Sequence, residues 1–177
     1  MSDTKPADSP RQMTPEEAAE FAEQVFNKAR EGDAAMLAAL LSKGLPANLR
    51  NHKGDTLLML ASYHGHVDAV KVLLEHKADP EVRNDNGQSP IAGAAFKGDL
   101  AVVKALIEGG AQVEGASFDG RTALMMAAMF NRTEIIDYLI SKGADPKAKD
   151  ANGITALDAA KTMGATDTVA QLEKLLG

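Results

Sequence analysis

Gly120-Arg121-Thr122-Ala123-Leu124 is the stretch on which the fold turns, because it returns at a fixed step. Gly54-Asp55-Thr56-Leu57-Leu58, Gly87-Gln88-Ser89-Pro90-Ile91 and Gly153-Ile154-Thr155-Ala156-Leu157 carry the same residue types, each 33 residues from the next. Outward from it, Ala61, Ala94, Ala127 and Ala160 keep the step, as do Leu73, Leu106, Leu139 and Leu172. A period of this length marks an array built from one supersecondary unit.

Each unit reads as a turn followed by two helices. Asn51-His52-Lys53-Gly54, Asn84-Asp85-Asn86-Gly87, Ser117-Phe118-Asp119-Gly120 and Asp150-Ala151-Asn152-Gly153 have turn composition, with glycine where a positive φ is needed. Two residues on, Thr56, Ser89, Thr122 and Thr155 are placed to cap a helix, the hydroxyl accepting an orphan backbone N–H. Pro90 falls in a first helical turn, where its missing N–H costs nothing. The first helix is short and alanine-rich, ending at Gly65, Gly98, Asn131 and Gly164, which suit a left-handed cap. The second has apolar residues at helical spacing: Val67, Val70, Leu73 and Leu74, then Leu100, Val103, Leu106 and Ile107, then Ile135, Ile136, Leu139 and Ile140. No unit can bury such a stripe alone, so the units must stack around one elongated core. The expected fold class is an all-α solenoid of helix-turn-helix units.

The division expected is a mobile leader at 1–13 and a single domain at 14–177. The domain comprises a capping pair at 14–50, repeats at 51–83, 84–116 and 117–149, and a shortened C-terminal repeat at 150–177. Thr14-Pro15-Glu16-Glu17 is a helix-start signature with a capping residue, a tolerated proline and a glutamate three positions on. Its helix should run to about Arg30, with Ala18, Phe21, Val25 and Ala29 facing the first repeat and Glu16, Glu20, Glu23 and Lys28 facing water. Lys161, Thr168 and Gln171 give the final unit the polarity of an end exposed on one side.

The chain of 177 residues has 45% hydrophobic and 25% charged residues, which places it among globular proteins. It has no cysteine, which excludes disulfides, thiolate metal sites and a cysteine nucleophile. A net charge of -6 without a basic stripe argues against a nucleic-acid partner. Residues 1–13 lack a signal-like apolar segment, and no stretch reaches the roughly 18 apolar residues of a membrane span. The expectation is a cytoplasmic monomer with no membrane or nucleic-acid partner.

Residues that could carry chemistry have plainer readings. His64-Gly65-His66 suggests a metal pair, yet glycine at a helix end should send the rings apart and no third ligand is suitably spaced. Asp68, Asp99 and Glu134 are expected on the outward faces of second helices. No nucleophile, zinc-protease helix or phosphate-cradling loop is evident, Gly109-Gly110 lacking the strand and lysine such loops need. The expectation is no catalytic, metal or cofactor site and no enzyme activity.

A 33-residue turn-helix-helix unit with Gly-x-Thr-x-Leu, a central Gly, a Leu-Leu pair and closing strings such as Lys77-Ala78-Asp79-Pro80, Gly110-Ala111-Gln112-Val113 and Gly143-Ala144-Asp145-Pro146 resembles the ankyrin repeat. Two positions depart from that pattern. Lys77 stands where glycine is expected, and Gly93 takes the place of a core leucine, leaving either a gap for Met126 to fill or a small groove.

The resemblance implies protein binding through the turn tips and the exposed ends of the first helices. Carried over, those positions are Tyr63-His64, Phe96-Lys97, Met129-Phe130 and Thr162-Met163, with Arg83, Asp85, Phe118 and Arg121 on the tips. Aromatic, Met and Arg side chains are enriched in interface cores. The function implied is a non-enzymatic interaction module. Replacing Phe130 with alanine should then weaken binding with little change in melting. Other functions compatible with the residues are an immunity-like regulator of an enzyme or toxic effector, a small-molecule binder or enzyme with a site built across repeats, and a self-associating structural protein.

Overall fold

The computed structural model describes residues 11–177. Of the leader, 1–10 lie outside the described residues, and 11–13 have no regular secondary structure. The described residues form ten helices: α1 (Pro15–Glu31), α2 (Ala34–Ser42), α3 (Leu57–Tyr63), α4 (Val67–Glu75), α5 (Pro90–Lys97), α6 (Leu100–Glu108), α7 (Ala123–Met129), α8 (Thr133–Ser141), α9 (Ala156–Met163) and α10 (Thr166–Leu176). Odd-numbered helices pack on one another in one layer and even-numbered helices in a second. This is the all-α solenoid that the period predicts.

The caps explain where the helices begin. Thr56, Ser89, Thr122 and Thr155 accept from the backbone N–H groups of Met59, Ala92, Met125 and Asp158. Each such cap stabilises a helix start by about 1 kcal/mol. Thr14 and Glu17 complete the reciprocal box at the start of α1. The first helices close at Gly65, Gly98, Asn131 and Gly164, all with positive φ, Asn131 at 61°. Lys77 also has positive φ, at 70°, where Gly44, Gly110 and Gly143 stand in other units. A side chain in that conformation costs about 1 to 2 kcal/mol.

The core is a continuous aliphatic seam between the layers. Leu58, Leu73, Leu106, Ile136, Leu139 and Leu172 are fully or almost fully buried, and each such side chain contributes roughly 1.5 to 3 kcal/mol. Alanines such as Ala61, Ala94, Ala127 and Ala160 are buried in the inner layer, where small side chains let helices approach. α1 differs in part from its expected face. Val25, Phe26 and Ala29 are buried and Phe21 half-buried, but Ala18 is exposed. The packed side is confined to the C-terminal half of the helix, and Phe26 takes the place expected of Ala18.

Polar contacts across units fix their spacing. The side chains of Asn48, Glu81 and Glu114 accept from the backbone N–H groups of Asp79, Gln112 and Asp145, each 31 residues on. His66 Nε2 donates to the Arg30 carbonyl at 2.7 Å, and Arg132 Nη2 donates to the Phe96 carbonyl at 3.1 Å. Asp99 is not a residue of an outward helix face: it is the N-cap of α6 and accepts from Val102 N–H. At the C-terminal end, Thr168 and Gln171 turn inward rather than to water. Thr168 Oγ1 is buried and donates to the Ala128 carbonyl at 2.7 Å. Gln171 Nε2 donates to the Thr133 carbonyl and the Asp137 carboxylate. Lys161 is the exposed one of the three, paired with Glu173 at 3.6 Å.

The turn tips form short antiparallel bridges, Arg50 to Thr56, Ala116 to Thr122 and Lys149 to Thr155. Successive tips are joined where Asp85 N–H donates to the Lys53 carbonyl and Ala151 N–H donates to the Asp119 carbonyl. Among the described residues no such bond joins Phe118 to Asn86. There the Phe118 ring lies over Gly87, whose missing side chain makes the room, and under the Arg83 guanidinium at 5.6 Å.

Candidate functional site

The ends of α3, α5 and α7 and the tips before them enclose an open groove of about 810 Å³. Short alanine-rich helices put their C-terminal residues beside one another, so Tyr63, Phe96 and Met129 meet along one wall. The tips supply the opposite lip, where Phe118 and Arg121 lie. Seven of the expected partner-binding residues line this groove: Tyr63, His64, Phe96, Phe118, Arg121, Met129 and Phe130.

They differ in accessibility. Phe118 is 69% exposed and Tyr63 41%, whereas Phe96, Met129 and Phe130 are half-buried. Phe96 and Phe130 meet edge to face with centroids 4.6 Å apart. Such a pair adds about 0.5 to 1.5 kcal/mol beyond its buried area, so Phe130 contributes to the fold as well as to the surface.

Lys97, Arg83, Asp85 and Met163 do not line the groove. Lys97 flanks it, with Nζ 4.8 Å from the Tyr63 ring centre. Arg83 covers Phe118, and Asp85 pairs with Arg50 at 3.7 Å. Met163 is half exposed at the end of α9, apart from the groove lining.

Gly93 is the lining residue that the departure from the repeat pattern singled out. It takes the place of a core leucine, Leu60 in the same register being buried in the core, and a Cβ at Gly93 would meet only the Tyr63 ring, at 3.7 Å. The residues in the same register, Leu60 and Met126, also line the groove. Of the two outcomes expected at Gly93, an open groove is the one found. Its signal was the 33-residue register itself, in which glycine stands between Leu60 and Met126.

Electrostatics set the polar margins. Burial, reinforced by His66, Lys97 and Arg30, lowers the pKa of His64 below the ordinary histidine value. The hydrogen bond from Ser117 lowers that of Asp119, and Arg121 beside it acts in the same sense. In other tips an Asn or Asp at the first turn position holds the turn N–H groups, as Asn84 does for Asn86 and Gln88. Ser117 is too short for this, and Asp119 accepts from Arg121 N–H instead.

The rings of His64 and His66 do not point apart. They are near parallel with centroids 6.4 Å apart, and His66 Nε2 is held by the Arg30 carbonyl. Among the described residues no group of three or more His, Cys, Asp or Glu side chains is arranged to hold a metal. No helix of the described residues is long and apolar enough to cross a membrane.

Comparison with known proteins places this geometry. Residues 25–116 and 94–174 match the family described as ankyrin repeats, three copies. An ankyrin repeat protein of Pseudomonas aeruginosa is 59% identical over 65 residues, 37% of this chain and 38% of that protein. Mouse BRCA1-associated RING domain protein 1 is 50% identical over 40 residues, 23% of this chain and 5% of its own. Human ankyrin repeat domain-containing protein 29 is 42% identical over 60 residues, 33% of this chain and 20% of its own. The matched stretches thus span less than two fifths of each of these relatives.

Proposed function

The chain belongs to the ankyrin repeat family, whose members are generally protein-protein interaction modules, and from that premise we propose that it binds a protein partner through the groove of its inner helices and tips. The reading takes 14–177 as one domain, acting as a cytoplasmic monomer without catalysis. The observation that carries it is the open groove walled by Tyr63, Phe96, Met129 and Phe130. Contiguous apolar surface with aromatic and Met side chains is the composition of interface cores. A preformed rigid wall also limits the ordering entropy that association costs.

The experiment is capture with immobilised wild type and a Tyr63→Ser/Phe130→Ala double variant from an extract of the source organism. Calorimetry with the purified captured protein then follows. A partner bound by wild type and weakened at least tenfold by the double variant supports the reading. A partner bound equally by both overturns it.

A further inference from the structure

We propose that the groove takes an acidic, extended segment of its partner, seating one bulky apolar side chain in the notch at Gly93 and an adjacent carboxylate against Lys97 and His64. This inference rests on the groove being the interaction surface and names the chemistry of what enters it.

The register shows what is missing at the notch. Leu60 and Met126 stand at the positions equivalent to Gly93, where a leucine-like or methionine-like side chain is absent. Tyr63 lies 3.7 Å from where the Cβ of residue 93 would be, and Phe96 and Met126 complete an apolar wall. A side chain supplied from outside would occupy the volume that residue 93 leaves open.

Charge selects what accompanies it. The carboxylates of the groove are already engaged: Asp55 accepts from Asn84 Nδ2 at 2.9 Å, and Asp119 accepts from Ser117 and pairs with Arg121 at 3.4 Å. Among its cations Arg121 is paired with Asp119, but two lysines are not paired. Lys97 and Lys53 take part in none of the ion pairs among the described residues. Lys97 instead rests over the Tyr63 ring, and His64 meets that ring edge-on at 5.3 Å. In a chain with net charge -6, Lys97 beside the notch thus remains without an ion-pair partner among the described residues. A carboxylate beside the notch would meet Lys97 and His64 together, whereas a basic segment would face like charge.

The test is fluorescence anisotropy with an arrayed set of 12-residue peptides, each with a central Leu, Met or Phe and with flanks of Asp/Glu, Ser/Asn or Lys/Arg. The expected result is at least tenfold tighter binding of the acidic set than of the basic set. Gly93→Leu should weaken that binding at least tenfold without lowering the unfolding midpoint, and Lys97→Glu should abolish the acidic preference. Equal binding of acidic and basic sets, no binding of the acidic set, or indifference to Gly93→Leu would overturn the inference. So would equally tight binding of a 12-nucleotide oligo-dT. Each of these leaves the docking of a whole folded partner to be decided by the Tyr63/Phe130 comparison, so the two readings fail separately.

Discussion

Asn131 Oδ1 accepts hydrogen bonds from the backbone N–H groups of Asp167 and Thr168, both at 3.0 Å, and its Nδ2 donates to the Asp167 carboxylate. A residue that closes one helix in a left-handed turn therefore caps the start of another, α10, whose own N-cap Ala165 has no side chain to do so. Asn131→Ala should lose both features. Removal of a cap costs about 1 kcal/mol and alanine in the left-handed region about 1 to 2 kcal/mol. Urea titration should show a loss of about 2 to 3 kcal/mol, with Asn131→Gly losing less because it keeps the backbone geometry.

Lys77→Gly is expected to act in the opposite direction. Relief of a strained positive φ is partly offset by the added freedom of glycine in the unfolded chain, leaving a gain of up to about 1 kcal/mol. A rise in the denaturant midpoint at unchanged slope would be the sign of it. No rise would mean that the strain at Lys77 does not exceed the freedom that glycine adds to the unfolded chain.

Gly93→Ala isolates the backbone from the notch. Gly93 lies inside α5, where a Cβ would make only ordinary contact with the Tyr63 ring at 3.7 Å, and glycine in a helix interior is less stable than alanine by roughly 0.5 to 1 kcal/mol. Thermal unfolding should shift upward by that amount of stability.

Phe130→Ala will not leave melting untouched, because the ring packs on Phe96. A loss of at least about 0.5 to 1.5 kcal/mol is expected from the pair alone. Leu73→Ala, at a fully buried site, should cost more, about 2 to 5 kcal/mol through the cavity left behind. Calorimetric melting of both variants checks the order, and a reversed order would contradict the assigned inner and outer layers.

His64 gives a pH dependence with a definite sign. Burial and the neighbouring His66, Lys97 and Arg30 depress its folded pKa, so the unfolded chain binds the proton more readily. Its contribution is fully present above the unfolded value near 6.5 and is lost as pH falls through the folded one. Denaturant midpoints measured from pH 7.5 to 5 should fall less steeply for His64→Gln than for wild type. Equal slopes would remove His64 as the cause.

The array itself was legible because its signals are local. A Thr or Ser before a helix, a glycine after one and an apolar stripe between them are read within a dozen residues, and each of the four repeats carries them. What stayed hidden lies between repeats. The bonds from His66 to Arg30 and from Asn131 to Asp167 and Thr168 join positions 36 or 37 residues apart. A period identifies which positions are equivalent but not which side chain is long enough to reach its neighbour. Ala18 and Phe26 differ for a related reason: the array ends there, so α1 has a neighbour along only half its length. Gly93 was visible as an irregularity, but its meaning depended on which layer the position faced.

Phe118 over Gly87 has one more consequence. Elsewhere adjacent tips are latched by a directed main-chain bond, which demands alignment, while here they rest on the face of a ring, whose attraction changes gradually with distance. The middle of the groove's lip is thus where the tips are held least rigidly. Incoming chains of slightly different girth would be accommodated by a small pivot there, with the remaining repeats moving as rigid blocks.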